Sequence, residues 1–237
     1  MLIGQKDQQL MLNVQLLSDL PDKALALLTQ DAFVQGLPKG ATLFDQGGHA
    51  QFLHVVLSGR VALTSGIGDC ETIINIRESG EVILDAATVL GTPYSNGARL
   101  IEGGRIMMIQ VGKFRDILAA DAATATVTLR AFANANLTLT RYVRDLKLLT
   151  TIQRLARHLL SMTAATSGSA TVTLRDERPT LAALLGMTPE SLSRAFAHLR
   201  TVGVRADKGG TVSVESVRRL RRLSKLDDRS EGEPRGR

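Results

Sequence analysis

The sequence LAALLGMTPESLSRAFAHLRTVG, residues 181–203, has the pattern of two short helices joined by a tight turn. The apolar positions of the first helix are Leu181, Leu184 and Leu185. Gly186 then interrupts the helical pattern, and Thr188 followed by Pro189 is typical of a new helix start. The threonine hydroxyl can cap the first free amides, and proline loses no hydrogen bond at the first helical position. The segment therefore predicts a helix-turn-helix.

The second helix of this segment has two faces of different chemistry. Its apolar face is formed by Leu192, Phe196 and Leu199. At about 100° per residue, Glu190, Ser193 and Arg194 lie roughly 145° from that face and are predicted to point away from the core. A helix that enters the major groove reads bases with its first turn and a half, where these three residues stand. The alternative is an exposed salt bridge between Glu190 and Arg194 on an ordinary surface helix.

The outward side chains suit base edges and phosphates. Glu190 can accept a hydrogen bond from cytosine N4, Arg194 can bind guanine O6 and N7 together, and Ser193 can contact a neighbouring base or methyl group. The Thr188 hydroxyl and the amides behind it suit a phosphate, helped by the helix dipole. The predicted DNA-contacting residues are Thr188, Glu190, Ser191, Ser193, Arg194 and Lys208.

A predicted hairpin follows the second helix. Residues 204–206 and 212–214 are β-prone and flank the turn 207–210, which carries two glycines where positive φ is needed. The two helices and the hairpin together predict a winged helix-turn-helix.

The positive charge of the chain lies in its C-terminal third. Residues 1–150 hold 13 Lys and Arg against 14 Asp and Glu, whereas residues 151–237 hold 16 against 9, a net charge of +7. Such asymmetry favours a polyanion as partner, because each neutralised phosphate releases condensed counterions. A solvated basic face is the alternative explanation.

The N-terminal half is predicted to be an antiparallel β-roll or barrel. Short β-prone runs separated by Gly, Asp and Asn occur at 41–44, 52–57, 60–64, 72–76 and 105–109. We expect Gly103 and Gly104 to form a hairpin turn. A short helical hairpin is predicted around Pro21, and further helices are predicted after Phe114. The fold class is therefore α+β.

A long helix is predicted over residues 122–150, which contain no Gly or Pro. An a/d stripe at intervals of 3 and 4 runs through Leu129, Phe132, Asn136, Leu139, Val143 and Leu146. One polar Asn in such a seam fixes the register of two-stranded coiled coils, so the stripe favours a symmetric homodimer. Packing of this helix against its own β domain is the alternative.

The domain boundaries follow from these patterns. We predict a sensor domain at 1–120, a dimerisation helix at 121–150, a DNA-binding domain at 151–223 and a disordered tail at 224–237. The DNA-binding domain would open with a helix over 151–165, which ends before Ser167 and Gly168.

Composition excludes several classes of protein. The values of 44% apolar and 22% charged residues are those of ordinary globular proteins, and the one cysteine, Cys70, rules out internal disulfides and Cys-only iron–sulfur or zinc sites. No bilayer-spanning stretch or secretory leader is apparent, so we expect the cytoplasm and no membrane contact. We expect no metal site and no enzyme activity, since no paired carboxylates, Cys/His couple, metal-spaced histidines or phosphate loop occur.

The chain resembles the CRP/FNR family of bacterial transcription regulators over about residues 15–222. The segment GATLFDQGGHAQFLHVVLSGRVAL, residues 40–63, is similar to the family's β-roll signature at Gly40, Phe44, Gly47, Val55, Gly59 and Val61. Glu190, Ser193 and Arg194 are similar to the FNR-type E-x-x-S-R motif, whose members bind TTGAT-like half-sites. Serine at 193 argues against a CRP-type half-site, and Pro189 with the GTP at 91–93 resembles the Dnr-type branch.

This resemblance implies a double-stranded β-helix of the cyclic-nucleotide-binding type, a dimerisation helix and a winged helix-turn-helix. It implies a homodimeric regulator that binds double-stranded DNA, with RNA polymerase as a further candidate partner. The alternative is a cyclic-nucleotide or small-ligand sensor that acts through protein contacts.

The resemblance also places a candidate effector pocket at Glu81, Asp85, Ser95, Asn96 and Arg99. The family binds cyclic nucleotides with a Gly-Glu pair and an Arg about ten residues later, but here Leu84 and Asp85 replace the pair and Ser95 stands at the Arg position. Arg99 either reaches back or is an exposed strand arginine. Since a buried phosphate would lack its charged partner, we expect no tight cAMP binding.

Other effectors have little support from the sequence. A single cysteine cannot hold the iron–sulfur cluster of oxygen-sensing relatives. Haem stays open but weakly supported, because the histidines are scattered and haem-binding relatives use N-terminal residues that are not histidine here. The histidines are His49, His54, His158 and His198. The β-roll is then a site for an unknown ligand or a scaffold.

Overall fold

A computed structural model describes residues 4–68, 70–207 and 209–225 of the chain. The chain divides into two compact units, Met1–Thr138 and Leu139–Arg237. Among the described residues, no helix is both long and apolar enough to cross a bilayer. Lys208 and most of the predicted tail, 226–237, lie outside the described residues.

The first unit contains short helices, a sheet and the start of a long helix. In chain order its elements are α1 Gln5–Met11, α2 Gln15–Ser18, α3 Asp22–Thr29, β1 Phe33–Leu37, β2 Thr42–Phe44, β3 Phe52–Ile67, β4 Cys70–Arg77, β5 Val82–Ile83, α4 Ala86–Leu90, β6 Gly97–Gln110, α5 Val111–Ala120 and α6 Ala122–Leu148. Helix α6 continues into the second unit.

The sheet is antiparallel and built on its two long strands. Its order is β1-β6-β3-β4, with β2 also paired to β6 and β5 to β3. Two apolar clusters fill the unit, one around Leu53 and Phe114 and one around Val61 and Leu100. The predicted α+β class with an N-terminal antiparallel β domain is confirmed.

Two details of the predicted strands are wrong. The runs 52–57 and 60–64 are one continuous strand, β3, and Gly103 and Gly104 lie inside β6 instead of forming a hairpin turn. The register shifts near Ser58, where the two backbones approach so closely that a Cβ on Gly104 would lie 2.0 Å from the Ser58 carbonyl oxygen. Glycine is required here by a close strand crossing, as at β-bulges.

The N-terminal helix α1 is tied to the sheet by an ion pair. Buried Asp7 accepts hydrogen bonds from Arg105 Nε at 2.6 Å and from Arg105 Nη2 at 2.8 Å. These bonds lower the pKa of the Asp7 carboxyl below its ordinary value. A residue of β6 thus fixes a helix that lies far away in sequence.

The second unit has the elements of a winged helix-turn-helix. After the end of α6 they are α7 Thr151–Ser161, β7 Ala170–Thr173, α8 Arg178–Leu184, α9 Pro189–Arg200, β8 Val204–Ala206, β9 Thr211–Val214 and α10 Val217–Leu223. The strands form an antiparallel sheet in the order β7-β9-β8, and one apolar cluster joins the helices to it. The predicted C-terminal helix-turn-helix is confirmed.

Helix α7 is shorter than the predicted 151–165. It ends at Ser161 because the chain tightens there into bonds to the third residue back, from Met162 to Leu159 and from Thr163 to Leu160. Ser224, at the start of the predicted tail, is buried and caps the end of α10.

Candidate nucleic-acid interface

The turn between α8 and α9 is set by Gly186. Its φ is +61°, its N–H donates to the Ala183 carbonyl, and the Met187 N–H donates to the Ala182 carbonyl. This pair of bonds is the Schellman motif, which satisfies the last carbonyls of a helix and reverses the chain. The sequence break at Gly186 therefore corresponds to a real helix end.

The N-terminus of α9 is capped as the sequence predicts. The Ser191 N–H donates to Thr188 Oγ1 at 3.2 Å, and Pro189 occupies the first turn. The pKa of the Glu190 carboxyl is lowered, first by a hydrogen bond with the Thr188 side chain and least by the charge of Arg194. Glu190 is thus an ionised acceptor near neutral pH.

Helix α9 buries one face and exposes the other. Leu192, Phe196 and Leu199 are buried, whereas Glu190, Ser193 and Arg194 are exposed. The hydroxyl of Ser193 donates to the Pro189 carbonyl at 3.0 Å, so its oxygen lone pairs remain available as acceptors. The structure brings the predicted base-reading residues onto one open surface.

The inner side of α9 is held by an arginine that the sequence reasoning missed. The guanidinium of Arg178, on α8, lies 3.9 Å from the centroid of the Phe196 ring. Such a cation–π contact fixes the two helices of the motif against each other. No local sequence pattern indicates this contact, because it depends on how α8 and α9 cross.

The hairpin after α9 is built around Asp207. Its Oδ1 accepts from the backbone N–H of Gly209 at 2.9 Å and of Thr211 at 2.8 Å, and Gly210 has a φ of +83°. These bonds stiffen the predicted wing. The wing residue Lys208 lies outside the described residues.

The predicted seam of α6 is largely open in the single chain. Leu129, Leu139 and Val143 have 69%, 55% and 41% of their surface exposed. The face that packs on the first unit's core carries Thr124, Val127 and Thr128, about 100° around the helix.

The remaining seam positions differ from one another. Asn136 is also exposed and Phe132 is half-buried. Leu146, at the other end of the stripe, packs beside Gly186 within the second unit.

The predicted effector residues divide into separate groups. Asp85 caps α4 by accepting from the Ala87 N–H at 2.8 Å, and Ser95 Oγ donates to its other oxygen at 3.3 Å. Asn96 donates to Ser95. The structure thus brings Asp85, Ser95 and Asn96 into one chain of hydrogen bonds.

Glu81 and Arg99 make other contacts. Glu81 accepts from the Glu78 N–H at 2.6 Å. Arg99 is an exposed strand arginine, and its Nη2 lies 3.3 Å from Glu71 Oε2. A cavity of about 540 Å³ lies beside Glu71. Its lining includes Asp45, Gln46, Thr64, Glu71 and Gly97.

Comparison with known proteins gives two family matches and many structural ones. A model of cyclic nucleotide-binding domains matches residues 34–121, and a model of Crp-like helix-turn-helix domains matches residues 153–223. Together they cover more than half of the chain. A Eubacterium rectale protein assigned to the CRP/FNR regulators is 18% identical, covers 90% of this chain and 99% of its own, and has a TM-score of 0.68.

The chain therefore carries a cyclic nucleotide-binding domain and a Crp-like helix-turn-helix domain, and its fold is that of CRP/FNR regulators. FixK2 of Bradyrhizobium japonicum is 20% identical, with 81% of this chain and 96% of FixK2 covered and a TM-score of 0.69. A Ruegeria pomeroyi protein named for cyclic nucleotide binding is 29% identical, with 94% of this chain and all of that chain covered and a TM-score of 0.62. Among the curated proteins compared, none matches the sequence.

The β domain holds α4 at both ends. Asp85 caps its N-terminus, and Arg115 of α5 donates to the Thr88 and Ala87 carbonyls at 2.8 Å each. The sequence alone does not indicate Arg115, since a helix-end partner 27 residues away leaves no local signal.

Two histidines have lowered pKa values. His54 is buried 5.2 Å from the Phe44 ring, and burial lowers its pKa to about 4. Burial also lowers the pKa of His158. Both imidazoles are neutral near pH 7.

Proposed function

We propose that the chain is a homodimeric, sequence-specific transcription regulator that reads TTGAT-like palindromic half-sites with α9. The observation that carries this proposal is the exposure of Glu190, Ser193 and Arg194 on the first turns of a capped helix whose opposite face is buried. Members of the CRP/FNR family bind DNA and function as dimers.

Base recognition is assigned to three side chains. Arg194 binds O6 and N7 of the half-site guanine, and ionised Glu190 accepts from a cytosine N4 amino group. Ser193, whose proton is engaged by Pro189, accepts from or contacts the neighbouring base. Each good contact discriminates by about 1–3 kcal/mol.

Phosphate binding is assigned to the start of α9. The Ser191 hydroxyl accepts from Thr188 and keeps its own proton free, and with the first free amides it forms a donor group where the helix dipole is positive. The net +7 of residues 151–237 adds sequence-independent attraction to DNA. These contacts position the helix, and the three outward residues give specificity.

Dimerisation is assigned to the stripe on α6. Two copies would bury Leu129, Leu139 and Val143 against each other, with Asn136 fixing the register. A two-fold dimer would present two α9 helices to half-sites about 34 Å apart, one turn of the duplex.

The test is DNA binding by the Arg194→Ala variant, measured by fluorescence anisotropy on a TTGAT palindrome and on a scrambled duplex. We expect the palindrome affinity to fall about 5- to 150-fold per protomer contact while the scrambled duplex is bound almost as before. Arg200→Ala, at the other end of α9, is the matched control and should keep the preference. Undiminished discrimination by Arg194→Ala would reject the assignment.

The β domain is proposed to bind cAMP weakly or not at all. Asp85 and Ser95 bond each other, and Arg99 is paired with Glu71, so these side chains are committed to the protein's own groups. A cyclic phosphate at that place would lack a charge-assisted partner. Calorimetry should give no heat of binding at micromolar cAMP, and a micromolar dissociation constant would overturn the proposal.

A further inference from the structure

The helix-turn-helix turn lies against the last turns of α6. A Cβ built on Gly186 would lie 2.5 Å from Leu146 Cδ2 and 3.4 Å from Tyr142 Oη. Both partners belong to the part of α6 that falls in the Leu139–Arg237 unit. The end of α6 and the turn before α9 are therefore in direct contact.

One arginine bonds both segments. Arg154, on α7, donates from Nη1 to the Leu146 carbonyl at 3.4 Å and from Nη2 to the Gly186 carbonyl at 3.2 Å. The Leu146 carbonyl is one of the last in α6, where no N–H group of the helix is available to donate to it. A single planar guanidinium thus joins the end of α6 to the turn that leads into α9.

A second arginine, one turn further along α7, also reaches α6. Arg157 Nη1 lies 2.8 Å from Asp145 Oδ1, while Nε and Nη2 donate to the Ser224 and Lys225 carbonyls at 3.1 and 3.3 Å. Its side chain is only 18% exposed. It joins α6, α7 and the end of α10.

The corner between α6 and α7 is short and internally bonded. Thr150 caps α7 in a reciprocal pair with Gln153, and only Leu149 and Thr150 separate the two helices. Little backbone freedom remains at the corner once both arginine contacts are made.

We propose that Arg154 and Arg157 form a clamp that positions α9 relative to the α6 seam and so sets the spacing of half-sites that the dimer accepts. The inference rests on the proposed homodimeric DNA-binding function. The arginines are positioning residues, since they act through the α6–α7 corner and the Gly186 turn. Lysine cannot replace them, because one ammonium group cannot bond two carbonyls in the fork geometry of arginine.

The test measures the distance between the two α9 helices in the full-length dimer. Cys70, the exposed cysteine, is replaced by serine, and a spin label is attached through Ala197→Cys on the exposed side of α9. Electron–electron dipolar spectroscopy then gives the inter-protomer distance distribution for the parent and for variants with Arg154→Lys and Arg157→Lys, singly and together. Each variant keeps the net charge, and Arg141→Lys, an exposed arginine of α6, is the matched control.

The clamp predicts at least a twofold broader distribution in the double variant, with each single variant intermediate and the control unchanged. It also predicts that the ratio of affinities for a palindrome and for the same palindrome with two base pairs inserted falls toward one. A merely stabilising role would weaken both duplexes alike and leave this ratio unchanged.

An unchanged width and ratio would overturn the inference. If the double variant fails to fold, the single variants decide by the same measurements. Absence of any dipolar signal in the parent would instead contradict the homodimer, and a parent that dimerises but ignores the palindrome would contradict the DNA assignment. The failure of the clamp and that of the proposed function are therefore distinguishable.

Discussion

A matched pair of leucines on α6 gives the sharpest test of the dimer seam. Leu139, in the stripe, is 55% exposed, and Leu137, which lies about 160° away around the helix, is 56% exposed. Full burial of a leucine side chain is worth about 1.5–3 kcal/mol. Burying the exposed half of Leu139 in both protomers is therefore worth about 2–3 kcal/mol of dimer stability.

Leu139→Glu should remove that contribution and place two like charges across the seam. The dimer dissociation constant is expected to rise at least about 30-fold, since 1.4 kcal/mol corresponds to a factor of ten. Leu137→Glu adds the same charge at an equally exposed site and should leave the constant within about threefold of the parent.

Sedimentation equilibrium over a concentration series measures both constants, with the monomer at 25.5 kDa. The double change of Leu139 and Val143 to Glu should leave only monomer at micromolar concentration and lower operator affinity. Equal effects of Leu137→Glu and Leu139→Glu, or a double variant that remains dimeric, would refute the seam.

Three further predictions concern single residues. The pKa of His54 falls from 6.5 to about 4 on folding, so as the pH is lowered the unfolded state binds a proton before the folded state does. The free energy of unfolding should therefore drop by about 2 kcal/mol between pH 7 and pH 5. Urea denaturation at both pH values checks this, and His54→Phe should flatten the slope. Gly186→Ala introduces a Cβ at positive φ against Leu146 and should lower the unfolding free energy by about 1–3 kcal/mol in the same assay. The lowered pKa of Asp7 gives stability that is complete above about pH 4 and lost below it, so α1 should become protease-sensitive at acidic pH, and Asp7→Asn should make it so at pH 7.

Features encoded by local patterns could be predicted from the sequence. The capped start of α9 follows from Thr188 and Pro189 alone, and the two faces of that helix follow from its period. The open stripe of α6 follows from spacing in the same way. Such patterns span at most a few helical turns, so they can be recognised without knowledge of the tertiary structure.

Features that depend on distant segments could not be predicted. Gly103 and Gly104 have the composition of a turn, and only the approach of Ser58 across the sheet explains why glycine stands inside β6. Likewise, nothing near Arg154 in the sequence identifies the Leu146 and Gly186 carbonyls as its acceptors. The candidate DNA-reading residues were accessible to sequence reasoning, whereas the groups that hold them in place were not.

In the proposed function, dimerisation and base reading are energetically linked through the second unit. A palindrome offers the same contacts twice, so the discrimination of about 1–3 kcal/mol per base contact is doubled only when both α9 helices engage at once. Leu139 and Val143 of the seam belong to the same unit as Glu190, Ser193 and Arg194. The proposed clamp therefore predicts that a change that loosens the α6–α7 corner reduces specificity without altering any proposed base-reading residue, because the second helix then binds out of register with its half-site.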